Sequence, residues 1–338
     1  MRVRKEEDKW MPPRVYKHSQ KGKYTCYILK PTGSQKSITL CKSDATKAEV
    51  WREYEKHMSR AVYTLRCLVS DYMQSPNFKA LAPRTQKDRQ IELNNILSVF
   101  GEMLPDAVLP QHVRRYVDKR GLKSQVQANN ELSSLSVIYK WGYERGHCKS
   151  NPAQGVKKFA IKERDRYITQ AEYQALISCA EERLRLAVEI SYLCATRQAD
   201  VLKLKWEHVL EDGLYIQQGK TGKKQIKAWT DRLKNIINEA NTLRTDFDGD
   251  YVINKAGGGR LTGEGIRSAW KRAIVKMKVQ FPEIKTDFTF HDIKAKGISD
   301  FDGTIAEKQH FSGHKTMRQV DTYDRRVPIV STVKDNDE

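Results

Sequence analysis

The chain has 338 residues, with 61 Lys and Arg against 42 Asp and Glu, a formal charge of +19 and a pI near 9.5. That length bounds it to two or three domains, and the charge favours a polyanionic partner, because each cation that neutralises a phosphate releases condensed counterions. Fifteen Tyr and six Trp set it apart from short, aromatic-poor basic proteins, but charge by itself names no chemistry. No stretch approaches 18 consecutive apolar residues and Met1 to Asp8 carries no apolar leader, so neither a membrane span nor export is expected. Cys26, Cys41, Cys67, Cys148, Cys179 and Cys194 are dispersed without a Cys-x-x-Cys pair, which leaves zinc ribbons and disulfide frameworks poorly supported. A reducing, DNA-containing compartment is the expectation.

Residues 1–55 hold 13 Lys or Arg against seven Asp or Glu. Short alternating runs, Tyr24 to Leu29 and Ser37 to Cys41 about a turn at Thr32-Gly33-Ser34, predict a small sheet of about three strands, with a helix opening after Asp44. A small basic sheet is a plausible reader of DNA. Residues 56–150 carry helical periodicity. Leu65, Leu68, Val69 and Tyr72 share one face; Ile91, Leu93, Ile96, Leu97 and Phe100 share a second; Leu132, Leu135, Ile138, Tyr139 and Trp141 share a third. Asn151-Pro152 ends the last of these helices, since a residue before proline resists the α region. The basic stretch 151–165 then reads as a linker able to lie along a phosphate backbone.

From residue 166 the pattern is mixed α and β. Helices are expected at 169–180, 183–194 and 198–204, then a hairpin whose strands flank Lys220 to Lys224. Further helices follow at 231–241 and 263–279, and another carries His291 to Lys296. Val327 to Val333 reads as a late strand. No internal repeat is present.

Two familiar motifs fail. Gly219-Lys220-Thr221 lacks the Walker glycine, whose place is taken by Leu214, and its flanks are strand rather than helix. The acidic run Asp246 to Asp250 misplaces the EF-hand glycine and reads as a turn. Other residues assemble better. Arg197 lies between two apolar runs, with Asp200 at i+3 on the same face and able to hold its guanidinium. His291 and Lys294 are also three apart, so both can face one point. His314 closes Ser312-Gly313-His314, and Tyr323 follows nine residues later. His310 reads as structural. Each signal is weak alone, and a lone histidine or tyrosine is more often a packing residue. In order, Arg197, Lys220, His291, Lys294, His314 and Tyr323 form a set of cations and imidazoles fit to surround one phosphodiester, with a phenol to attack it.

This ordered set resembles the tyrosine recombinases, and among them the phage integrases. Stretches around Leu104-Pro105-Asp106, Lys205-Trp206, Thr289-Phe290-His291-Asp292 and Gln309-His310 strengthen the likeness over nearly the whole chain. The resemblance implies a multidomain fold: a small N-terminal β-sheet domain that binds arm-type DNA (1–55), an all-α core-binding domain (56–150), a basic linker (151–165) and an α+β catalytic domain (166–338). It implies that Tyr323 attacks the scissile phosphorus to give a 3′-phosphotyrosine, with Arg197, Lys294, His291 and His314 stabilising the charge that develops. Lys220 would protonate the leaving 5′-oxygen, and Asp200 would support the site from behind. A freed 5′-hydroxyl of a partner strand then attacks the phosphotyrosine, and two exchanges pass through a Holliday junction. No cofactor or metal is expected.

The partners implied are double-stranded DNA attachment sites, a homo-tetramer on that DNA, a host DNA-bending protein and an excision factor. The expected setting is the cytoplasm of a bacterial host, on nucleoid DNA. Two departures stand out: Asp200 occupies a position where Glu is usual, and Lys294 one where a second arginine is usual. A lysine is a point charge without the bidentate fork. Two rival functions remain: a type IB topoisomerase, which cuts by the same chemistry but swivels and reseals, and a DNA-binding regulator without catalysis.

Overall fold

The N-terminal alternation folds into an antiparallel sheet in the computed structural model, which describes residues 5–20, 22–30, 37–58, 63–244, 249–255, 257–327, 330 and 332. Strands β1 (Val15–Gln20), β2 (Lys23–Leu29) and β3 (Ile38–Lys42) lie in the order β1-β2-β3, with Val15 opposite Leu29 and Tyr27 opposite Cys41. Successive side chains of a strand point to opposite faces, so Tyr27 and Leu29 fall on one side and bury with Val15. Helix α1 (Lys47–Met58) closes that face with Val50 and Tyr54. Its start is fixed by Glu49, whose carboxylate accepts from the N–H and the hydroxyl of Thr46, both at 2.8 Å. The expected turn at Thr32-Gly33-Ser34 lies outside the described residues, as do Asp246 to Asp248 of the expected acidic turn and most of the expected strand from Val327 to Val333.

The chain divides into two units, Met1–Ile161 and Lys162–Glu338. The helical part of the first contains α2 (Leu65–Gln74), α3 (Pro76–Lys79), α4 (Pro83–Phe100), α5 (Pro110–Gly121) and α6 (Gln125–Tyr143). The three predicted apolar faces meet in one core, with two corrections. Ile91 is 48% exposed, because it sits off the stripe defined by Leu93, Ile96 and Phe100. The last helix stops at Tyr143 rather than Asn151: Gly146, at φ +72°, turns the chain, and the His147 N–H returns to the Gly142 carbonyl at 2.9 Å. The start of the basic stretch is tied down. The Asn129 amide pairs with both the N–H and the carbonyl of Phe159 at 2.9 Å, and Arg114 donates to the Lys157 carbonyl at 2.8 Å.

The second unit contains α7 (Gln170–Cys179), α8 (Glu182–Leu193), α9 (Gln198–Val201), the hairpin β4 (Gly213–Gln217) and β5 (Lys224–Ala228), α10 (Asp231–Thr242), α11 (Gly263–Gln280), α12 (Phe290–Asp300), α13 (Ile305–Ser312) and α14 (Met317–Asp321). One apolar core runs through α7, α8, α10, α11 and the start of α12. Helices α8 and α12 touch closely at Gly297, where a Cβ would stand 2.2 Å from the Tyr192 carbonyl oxygen. Only glycine lets the backbones approach so far. That contact sets the distance between whatever α12 carries and whatever follows α8.

Candidate active site

Arg197 is delivered by the turn that ends α8. Ala195 adopts a left-handed φ of +49°, uncommon for a residue with a Cβ. The turn is over-determined: the Thr196 N–H donates to the Ser191 carbonyl at 3.0 Å, and the Ser191 hydroxyl to the Thr196 carbonyl at 2.7 Å. Arg197 follows as the residue that opens α9, and its Nη1 donates to Gln218 Oε1 at 2.9 Å. Gln218, buried just after β4, donates from Nε2 to the Ser312 carbonyl at 2.9 Å. One amide therefore connects Arg197 to the end of α13. In the sequence Gln218 belongs to the Gln218-Gly219-Lys220-Thr221 stretch that resembles the integrases, but no spacing there assigns it a role.

Asp200 does not hold the guanidinium, as its i+3 spacing led us to expect. Its Oδ1 accepts from the Gly219 N–H at 2.9 Å and so pins the hairpin turn that carries Lys220. Lys220 itself is exposed in that turn, but its charge is felt at Lys294.

Helix α12 supplies His291 and Lys294 from adjacent turns of one face. Helix α13 ends at Gly313, φ +66°, where a Cβ would meet the side-chain amides of Gln225 and Gln218 at 2.5 and 2.6 Å. That tight, left-handed end turns the buried His314 inward, with its Nδ1 2.8 Å from the Ser312 hydroxyl. Tyr323, just beyond α14, lies across the cluster. Its Oη is 3.2 Å from His291 Nε2, its ring stacks on His314 with centroids 4.7 Å apart, and Lys294 Nζ stands 5.4 Å from its centroid. The structure thus gathers Arg197, His291, Lys294, His314 and Tyr323 around one point, with Lys220 on the rim.

The electrostatics of the cluster are those of crowded positive charge. Burial, and then Arg197, bring Lys294 down to about 7. Burial, then Lys294 and Arg197, lower His314 to about 4. Partial burial of its ring also lowers His291, against the opposing pull of Asp292. Among the described residues, Lys294 Nζ, His314 Nε2 and Asp200 Oδ2 are buried with no hydrogen-bond partner. Burying an unpaired ammonium beside a guanidinium opposes folding, and such groups mark sites built for a ligand of opposite charge. The donor set suits an oxyanion.

Lys296, two residues on, turns away from the cluster. Its Nζ binds the Ile168 carbonyl at 3.1 Å and Asp300 at 2.9 Å under the rings of Tyr167, Tyr173 and Tyr192. It is a structural cation. An apolar cleft of about 740 Å³ between β5 and α13, lined by Ile226, Phe301 and Phe311, contains none of the cluster residues. Among the described residues no group of three His, Cys, Asp or Glu is placed to hold a metal ion, and no helix is long and apolar enough to cross a membrane.

The chain is similar to several known proteins. Residues 166–327 match the model of the phage integrase family. The shufflon-specific DNA recombinase of Escherichia coli is 27% identical over 204 residues, which span 57% of this chain and 49% of that protein. The integrase of Enterobacteria phage 434 is 22% identical over 350 residues, 95% of this chain and 96% of that one. Among solved structures, a lambda integrase dimer bound to a COC′ core site superposes with a TM-score of 0.68 at 17% identity, covering 98% of this chain and 99% of that chain. Residues 166–327 thus form a phage integrase family domain, in a chain that aligns along nearly its whole length with the integrase of phage 434.

Proposed function

We propose that the chain is a site-specific integrase that joins and releases a mobile DNA element at paired attachment sites, with Tyr323 as the nucleophile. The observation that carries this reading is the seating of Tyr323: its phenol is 3.2 Å from His291 Nε2, and its ring lies against His314 and under Lys294. His291, lowered from its ordinary value, is neutral at pH 7, so Nε2 takes the phenol proton as the oxygen attacks phosphorus. The Ser312 hydroxyl, 2.8 Å from His314 Nδ1 but 3.5 Å from the Gln309 carbonyl, donates to the ring and leaves Nε2–H to meet a non-bridging oxygen. Arg197, oriented by Gln218, and Lys294 complete the electrostatic cradle. Lys220, exposed in the hairpin turn, donates a proton to the departing 5′-oxygen once DNA covers it.

The product is a 3′-phosphotyrosine and a free 5′-hydroxyl. Attack by a 5′-hydroxyl from a second duplex restores the phosphodiester and releases the phenol, so the energy of the broken bond is carried in the phosphotyrosine. Two duplexes exchanged at both strands require four cuts, one tyrosine each, and hence four copies of the chain on a Holliday junction. The N-terminal sheet, with its cluster of Lys and Arg, and the helical part of the first unit supply further DNA contacts. These reactions run in the bacterial cytoplasm, on nucleoid DNA.

The test is to trap covalent protein–DNA adducts on genomic DNA and sequence the attached ends. Ends that converge on one sequence, lost in Tyr323→Phe while DNA binding persists, are the expected result. Scattered ends with relaxation of plasmids that lack the site would point instead to a topoisomerase.

A further inference from the structure

The residues that follow Tyr323 are tied to the fold by buried polar contacts. The phenol ring is half-buried against the small apolar patch of Ala195, Ile298 and Val320. Two positions on, the Arg325 side chain is only 6% exposed, and its Nη1 donates to Asp292 Oδ1 at 2.7 Å and to the Arg166 carbonyl at 3.1 Å. Asp292 is wholly buried. Its other oxygen accepts from the Thr289 N–H and hydroxyl at 2.8 and 2.9 Å and from Arg164 at 3.0 Å, so it also caps the first turn of α12, one residue from His291. The main chain is tied to the same helix: the Arg325 N–H donates to the Ser299 hydroxyl at 2.8 Å, which donates to the Tyr323 carbonyl at 3.1 Å. Between them, Asp324 pairs with Lys308 at 2.6 Å.

We propose that Arg325 is a positioning residue for the nucleophile: its buried pair with Asp292 sets Tyr323 in register with His291 on α12. This rests on the reading of Tyr323 as the attacking group. Both ends of the Oη to Nε2 contact are then referenced to one carboxylate, His291 through the helix start and Tyr323 through Arg325. A phenol displaced by about 1 Å leaves the near-attack geometry, which can cost about 10²-fold in rate. DNA affinity does not depend on that register.

The experiment compares the full-length wild type with Arg325→Ala, Arg325→Lys and Arg326→Ala, an exposed neighbour that loses the same charge. Each is assayed for adduct formation on a nicked site that prevents religation, for DNA affinity and for thermal midpoint. We expect Arg325→Ala to slow adduct formation by about 10²-fold with unchanged DNA affinity, Arg325→Lys to recover part of the rate, and Arg326→Ala to match wild type. A second measurement separates positioning from general damage. In a Tyr323→Phe background, added hydrogen peroxide supplies the attacking oxygen, and cleavage then reports the phosphate cradle without the tyrosine. Arg325→Ala should leave that cleavage unchanged. Equal losses in the tyrosine and peroxide reactions would overturn the proposal, because Arg325 would then serve the fold or the phosphate. An Arg325→Ala adduct rate equal to wild type would overturn it as well. Absence of any adduct from wild type would overturn the reading of Tyr323 itself and this proposal with it.

Discussion

Lys294, proposed above to steady the phosphate, titrates where an arginine would not, and that predicts a pH signature. In the free protein Lys294 lies near 7, lowered by burial and by Arg197. Its protonated fraction therefore falls from about one half at pH 7 to about one hundredth at pH 9. If cleavage needs the cation, the second-order rate of adduct formation, which reports the free enzyme, drops about 50-fold over that interval. Saturating DNA brings a phosphate beside Nζ, raises its pKa and moves the fall to higher pH. On the acid side the rate declines as His291, lowered from 6.5, takes a proton and can no longer accept one.

The assay is single-turnover adduct formation between pH 5.5 and 9.5 at sub-saturating DNA. We predict that Lys294→Arg keeps or raises the rate at pH 7 and removes the alkaline fall, since a guanidinium does not titrate there. Lys294→Ala should lose about 10²- to 10³-fold at pH 7, the scale of one preorganised donor. Lys227, also buried and lowered to about 8, is retained in both variants. An alkaline fall that persists in Lys294→Arg would therefore refute the assignment to Lys294. Stability gives an independent check. A lysine with a depressed folded pKa binds fewer protons folded than unfolded between about 7 and 10.5, so its cost is fullest below pH 7 and fades as pH rises towards 10.5. Lys294→Met should accordingly stabilise the protein at pH 6, by about 1–4 kcal/mol, while abolishing fast cleavage.

Three further predictions follow from single contacts. Lys220→Ala should slow cleavage of ordinary DNA yet act normally on a substrate with sulfur at the 5′-bridging position, because a thiolate leaves without a proton; equal defects on both substrates would make Lys220 a binding residue. Gln218→Leu removes the amide between Arg197 and the Ser312 carbonyl, and should lower the adduct rate by about 10- to 10²-fold with DNA affinity retained; a wild-type rate would show that Arg197 needs no such guide. Gly313→Ala forces a Cβ into the Gln218 and Gln225 amides at a left-handed φ, and should cost more than about 1 kcal/mol in a denaturant titration.

The helices and the hairpin of the second unit were legible because their apolar periods are long and their caps are local. Thr169 with Glu172, and Thr289 with Asp292, announce their helices in the sequence. The two short helices after Asp300 were not foreseen, since eight and five residues leave too little periodicity to read. The residues proposed for catalysis were legible as an order of residue types, whereas their supporting contacts were not. Gln218, Ser299 and Arg325 act through partners 94, 24 and 33 residues away, and no spacing rule links them. Asp200 shows the converse: its helical spacing pointed to Arg197, but α9 is a four-residue turn and the carboxylate faces the Gly219 N–H instead. The position before Pro152 misled for a similar reason, because Gly146 had already ended the helix.

The central claim is that Tyr323 makes the covalent bond to DNA. Adducts trapped on a nicked attachment site, digested with protease and nuclease, can be mapped by tandem mass spectrometry. The account predicts a nucleotide linked through its 3′-phosphate to the peptide Val320 to Arg325, on the oxygen of Tyr323. A nucleotide on any other of the fifteen tyrosines, or one joined through a 5′-phosphate, would contradict it.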